Sequence, residues 1–138
     1  MSASYEKHPS LSVAIWLSRD KARWVAQLRD RIERHEQGTP QFRLFLWRQT
    51  FDTGSYKQFF LPHVEQVWPY VLETTLENTV DRASTKSYVA VLPEDARAEV
   101  RKDVAGIVEK GEDKVWIDEE RGTFEYPYNS YIIIAHKK

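Results

Sequence analysis

The chain has 138 residues, of which 30% are charged and 41% hydrophobic, with a net charge of −1; this is enough material for one core but not for two. Balanced charge removes the electrostatic case for nucleic acid or an anionic membrane as the main partner. The absence of cysteine removes disulfides, thiol nucleophiles and zinc–thiolate sites together.

MSASYEKHPS at the start is polar and carries a proline, so residues 1–10 are expected to be irregular, with a domain over 11–138. This segment has no apolar core of the secretory kind, and no apolar run approaches the ~20 residues of a membrane span. A cytoplasmic soluble domain is the expectation. The first 60 residues lean basic and the rest acidic, which reads as two differently solvated faces. Five Trp, seven Tyr and six Phe give either thick aromatic packing or an apolar pocket for an organic molecule.

The run Leu11–Leu17 is apolar except for Ser12. A strand with one wet face alternates, so this run predicts a strand buried on both faces. It ends in Ser18-Arg19-Asp20, at the carboxyl edge where ligands sit in open α/β sheets. Asp20 is placed to cap a helix over 20–36 with Ala22, Val25, Leu28 and Ile32 inward and Trp24 beside them, stopped by Gly38 and Pro40. A shorter helix over 41–51 follows, with Leu44, Trp47 and Phe51 at core spacing. Asp52–Ser55 reads as a turn. The stretch 58–72 is strand-like, but Pro62 and Pro69 make it broken, bulged or at a sheet edge. Thr74 and Glu77 have capping-box spacing for a helix with Leu76, Val80 and Ala83 inward. Ser84–Ser87 interrupts it, Pro93 opens the next helix with the stripe Val100, Val104, Ile107 and Val108, and Gly111 closes that helix. A last strand covers 124–135, its first part confined by Pro127 to an edge or bulge.

None of the five glycines is spaced as a phosphate- or dinucleotide-binding loop. His8, His35, His63 and His136 show no metal-ligand spacing, and no hydrolase elbow or triad order is present. Candidate chemistry lies in two places. At the strand end, Trp16 can wall a pocket and Arg19 can clamp an anionic group, with Ser18, Asp20 and Trp24 nearby; the plainer reading is a capping Asp20 and a solvated Arg19. At the break of Ser84, Thr85, Ser87 and Tyr88, a tyrosine hydroxyl can be directed into a cleft; the plainer reading is a helix corner.

IWLSRD before an RW-containing helix, TPQFRLFLWRQTFD, LENTVDRASTKSYVAVLPEDAR and FEYPYNSYIII together resemble the carboxyl-terminal half of class I S-adenosylmethionine-dependent methyltransferases of the small-molecule, type 11-like branch. That branch carries IWN-x-RD, VDR-x-x-S-x-SY-x-x-LP and LPYRT-x-Y signatures. The similarity covers about residues 11–135. It departs where the family Asn falls on Leu17 or Ser18 and where the Arg of PYRT is Asn129.

The resemblance implies an α/β, partial Rossmann-like fold: a three-stranded mixed sheet of family strands 5-7-6 with covering helices. Leu11–Leu17 becomes the fifth strand, a stretch within 58–72 the sixth, and 124–135 the antiparallel seventh lying between them. It implies Trp16, Arg19, Trp47 and Tyr88 as substrate-pocket residues, S-adenosyl-L-methionine as methyl donor and a small organic molecule as acceptor. The family's glycine-rich donor loop and acidic ribose-binding residue lie upstream of every motif present, so the implied protein is a truncated, donor-free fragment, inactive alone. Catalysis of this kind depends on in-line positioning and exclusion of water. With the fourth family strand missing, Leu11–Leu17 becomes an apolar edge able to pair with a homodimer mate or a partner chain. A non-catalytic α+β domain that binds a hydrophobic ligand or a homologous chain is the alternative.

Overall fold

The structure, a computed structural model, describes residues 9–138. The expected irregular start therefore lies, for residues 1–8, outside the described residues. The elements in chain order are β1 (Ser10–Leu17), α1 (Arg23–Glu33), two 3-10 helices (Phe42–Leu44 and Leu46–Asp52), α2 (Gly54–Phe59), β2 (Val64–Thr74), α3 (Leu76–Ser84), α4 (Ser87–Ala90), α5 (Glu94–Lys110), β3 (Trp116–Asp118) and β4 (Thr123–Ala135).

The α/β class holds, but the sheet has four strands rather than three, and it is antiparallel rather than mixed. Its order is β1-β4-β2, with the short β3 pairing against β4 (Trp116 opposite Phe124). The chain's last long strand thus lies between its first and second. Two strands that each run against the same central strand never touch, so no parallel ladder forms. Of the edge or bulge expected at Pro127, the edge is excluded, because Pro127 lies in this central strand. Ser18, one residue beyond β1, donates to its carbonyl at 3.0 Å, and Glu125 donates to Val115 at 2.8 Å. The proline therefore falls where pairing with β3 gives way to pairing with β1. Pro69 is in β2, at one end of the order as expected.

The chain divides into two compact units. One gathers Trp16–Thr39 and Pro69–Asn129; the other gathers the described residues up to Ile15 with Pro40–Trp68 and Ser130–Lys138. The first unit holds the dry core. Trp24, Val25, Leu28 and Ile32 of α1, Val80 and Ala83 of α3, and Val100, Val104 and Val108 of α5 meet Phe124, Tyr126 and Tyr128 of β4. Each fully buried aliphatic side chain here contributes about 1.5–3 kcal/mol from area removed from water. The valines of α5 recur every fourth residue and Gly111 ends the helix with φ 51°, both as the sequence predicts. Caps differ by a residue or two. Ala22, not Asp20, precedes α1, and Thr75, not Thr74, caps α3 by accepting from the Asn78 N–H at 3.2 Å. Thr74 is instead buried, hydroxyl to hydroxyl with Thr79 at 3.2 Å.

The second unit is an aromatic chain. Phe42 stacks on Trp47 at 4.9 Å, Trp47 meets Phe51 edge-on at 6.0 Å, and Phe51 stacks on His63 at 3.8 Å. The expected single helix over 41–51 is broken at Phe45, which takes the left-handed conformation (φ 57°), and Leu44 is exposed.

The expected double-sided burial of β1 is overturned. Leu11, Val13 and Ile15 are 62%, 57% and 53% exposed, and burial begins only at Leu17. Continuous hydrophobicity marks what a strand is able to bury, and no described element covers this face of β1. Val67, Trp68 and Val71 of β2 and Trp116 and Ile117 of β3 are also exposed. No helix among the described residues is long and apolar enough to cross a membrane.

Candidate functional site: a cavity framed by two Pro-Tyr dipeptides

Beyond Leu17 the backbone turns through Ser18–Lys21 into α1, and a cavity of about 350 Å³ opens beside this turn. Pro69 and Tyr70 of β2 line it together with Pro127 and Tyr128 of β4, so neighbouring strands each present a Pro-Tyr dipeptide. The two tyrosine rings stack at 5.6 Å. Lys21 and Ala22 before α1 and Trp24 in its first turn line it too, with Val71, Asp113, Val115 and Glu125.

Trp24 is the anchor. It is fully buried, stacked on Tyr126 at 5.4 Å and edge-on to Phe124 at 5.6 Å. Its Nε1–H has no hydrogen-bond partner, although buried indole donors ordinarily find one. The first-turn amides of α1 are satisfied: Arg23 N–H donates to the Asp113 carboxylate at 3.2 Å and Trp24 N–H to the Glu112 carbonyl at 3.1 Å. The helix end is therefore not an anion site, and the indole is the donor left over.

Burial, reinforced by the neighbouring Tyr128, holds the Tyr126 hydroxyl well above its ordinary range. Burial also raises Tyr128, opposed by Arg82, whose guanidinium lies 5.4 Å from the ring. Both phenols are neutral near pH 7.

The residues nominated from sequence lie elsewhere. Trp16 is half-buried near the end of β1. Arg19 is engaged by α1, at 2.7 Å from Asp30 and 3.1 Å from Glu33. Glu33 is also held by Arg29 at 2.6 Å, and Arg29 donates to the Leu17 carbonyl at 3.1 Å. Arg19 thus braces the turn rather than presenting itself to a ligand. Tyr88 is half-buried against the core. Ser84 donates to the Val80 carbonyl and accepts from Arg101, which describes a helix corner. Trp47 belongs to the other unit, where its Nε1–H donates to the Phe42 carbonyl at 3.0 Å. None of Trp16, Arg19, Trp47 and Tyr88 lines the cavity. The signal in the sequence that points to its walls is the repeated Pro-Tyr, at 69–70 and 127–128.

The chain's glycines do not fit a methyl-donor site. Gly54 opens α2 after a 3-10 helix, Gly106 is inside α5, Gly111 ends it, Gly38 follows α1, and Gly122 precedes β4. None stands between a strand's carboxyl end and a helix, where such a loop cradles its ligand. Among the described residues no group of three or more His, Asp or Glu side chains could hold a metal ion. No family model matches the chain, and no curated protein matches it.

Proposed function

We propose that this chain is the acceptor side of a partial Rossmann-like, S-adenosylmethionine-dependent methyltransferase, with the donor-binding side supplied by other polypeptide. The observation that carries the reading is the order β1-β4-β2. The motif resemblance assigns family strands 5, 7 and 6 to these three segments, in that spatial order. Two further features support it. The cavity lies at the carboxyl end of β1, the edge at which α/β folds receive ligands. The exposed apolar residues of β1 and β2 are of the kind that another layer or strand covers, a homologous or identical partner chain included. Among the described residues no glycine follows a strand's carboxyl end as a donor loop would, and on this reading the chain's part is to bind and orient the acceptor and to exclude water.

The test has two arms. S-adenosylmethionine titrated calorimetrically into the 138-residue chain is expected to give no binding heat at sub-millimolar concentration. A longer or complexed form carrying a strand followed by a D/E-x-G-x-G-x-G loop is expected to transfer labelled methyl groups to a small organic acceptor. Donor binding by the chain alone, or such a form that binds donor yet methylates nothing across an acceptor panel, would overturn the reading.

The alternative, a non-catalytic binding domain, is favoured by one observation, the cavity itself. It predicts ligand binding that no donor-carrying form ever converts into methylation.

A further inference from the structure

A groove of about 680 Å³ runs between α1 and α5 and shares no lining residue with the aromatic cavity. Arg31, Arg34, Lys102 and Lys110 line it against two carboxylates, Asp30 and Asp103. Both carboxylates are already engaged, Asp30 by Arg19 at 2.7 Å and Asp103 by Arg31 at 2.7 Å. Lys110 is 3.1 Å from Glu112. Arg34, just beyond α1, and Lys102, in α5, have no carboxylate at ion-pair distance among the described residues. Each wall of the groove thus carries one uncompensated positive charge, in a chain whose net charge is −1.

Gly106 lines the same groove from the interior of α5. Its φ is not positive, and a Cβ there would meet nothing within 4 Å. Neither the backbone nor packing within the chain requires glycine here, although glycine is among the least favourable residues for a helix interior. What it provides is room for another backbone to come close. Ile107 is the one large apolar side chain in the lining, too little for the apolar face of an amphipathic helix. An extended chain fits better. Its successive side chains point to opposite sides, so consecutive carboxylates face Arg34 and Lys102 while the backbone lies against Gly106. Nucleic acid, by contrast, is held by a run of cations rather than by two points.

We propose that the groove between α1 and α5 docks an acidic protein segment in extended conformation, with consecutive Asp or Glu side chains at Arg34 and Lys102 and its backbone over Gly106. Such docking needs neither methyl donor nor acceptor and is independent of the methyl-transfer reading.

A fluorescently labelled peptide of repeated Glu-Glu-Thr is the probe, with a Lys-Lys-Thr peptide as its counterpart and anisotropy as the readout. The acidic peptide is expected to bind saturably and more weakly as salt rises, and the basic one not at all. Arg34→Glu and Lys102→Glu are each expected to weaken binding about three- to tenfold. Arg121→Glu, an equal change of charge at an exposed site outside the groove, is expected to leave it unchanged. Gly106→Leu separates docking from folding. Leucine favours a helix over glycine, so the urea midpoint is expected to hold or rise while binding falls about tenfold or more. Should that variant lose stability, the two groove reversals set against Arg121→Glu decide alone. Absence of saturable binding by the acidic peptide overturns the proposal, as does equal weakening by Arg121→Glu. Undiminished binding by folded Gly106→Leu, or tighter binding of a single-stranded oligonucleotide, overturns it too. No arm uses a methyl donor, so failure here and failure of the methyl-transfer reading are separately visible.

Discussion

Trp24 and Trp47 sit in aromatic nests of similar membership and opposite character. Trp24 is sealed among Phe124, Tyr126 and the aliphatic side of α5, with its donor unpaired. Trp47 is half-buried, with its donor bonded to the Phe42 carbonyl and Arg48 alongside, 5.4 Å from its ring and 4.1 Å from that of Phe45. The first nest is held by area removed from water, and the second by ring contacts, cation–π attraction and local hydrogen bonds. A dry nest carries stability even with a donor left unpaired; a wet nest organises short 3-10 segments that lack a stripe of their own to bury.

That contrast can be broken by substitution. Trp24→Ala is expected to cost about 3–5 kcal/mol in denaturant unfolding, as large aromatic truncations in a core do. A loss of 1 kcal/mol or less, on the order of one aromatic pair, would mean that the first nest is no drier than the second. Gly111→Ala comes next, at about 1–2 kcal/mol. The position has φ +51°, and an added Cβ would lie 2.9 Å from the Val108 carbonyl oxygen, in the helix that walls the first nest. Trp47→Ala is expected to cost about 1 kcal/mol, the scale of its ring contacts, and to leave unfolding of the Trp24 region cooperative.

The smallest effects are in pH. Tyr126 has a raised folded value against an ordinary 10.0. Its contribution is complete below 10.0 and is lost as pH rises through the folded value. Glu65 is lowered from 4.5 by its hydrogen bond to Arg48. Its contribution is present above 4.5 and is lost as pH falls through the folded value, and it is heavily screened at this surface. Alkaline titration by tyrosinate absorbance should show the Tyr126 signal, identified by its loss in Tyr126→Phe, appearing only above the ordinary value of 10.0. Ionisation of Tyr126 at or below that value would show that the first nest admits water.

Much of the helical part was legible because it rests on local periodicity. Val100, Val104 and Val108 mark the inner face of α5, Gly111 its end, and Ser84–Ser87 the break before α4. The cap at Thr74 was misplaced by one residue because the adjacent Thr75 accepts the amide, and that at Asp20 because the first amides of α1 are met by Asp113 and Glu112, distant in sequence. Of the candidate site, Trp24 was visible as a neighbour of the strand end. Tyr70 and Tyr128 lie 58 positions apart in sequence, and only strand pairing brings their rings together.

Alone, the sequence determined where β1 and β4 run, the inward faces of α1, α3 and α5, and a glycine spacing unlike that of a nucleotide-binding loop. These follow from side-chain spacing and backbone freedom, which are properties of neighbours along the chain. The tertiary structure decided that β4 lies between β1 and β2, that the apolar face of β1 stays open, that Arg19 braces α1, and that two Pro-Tyr dipeptides and a buried indole close around one cavity. Those outcomes depend on long-range pairing and on which surfaces find a cover, and both are set by contacts between residues that no local pattern connects.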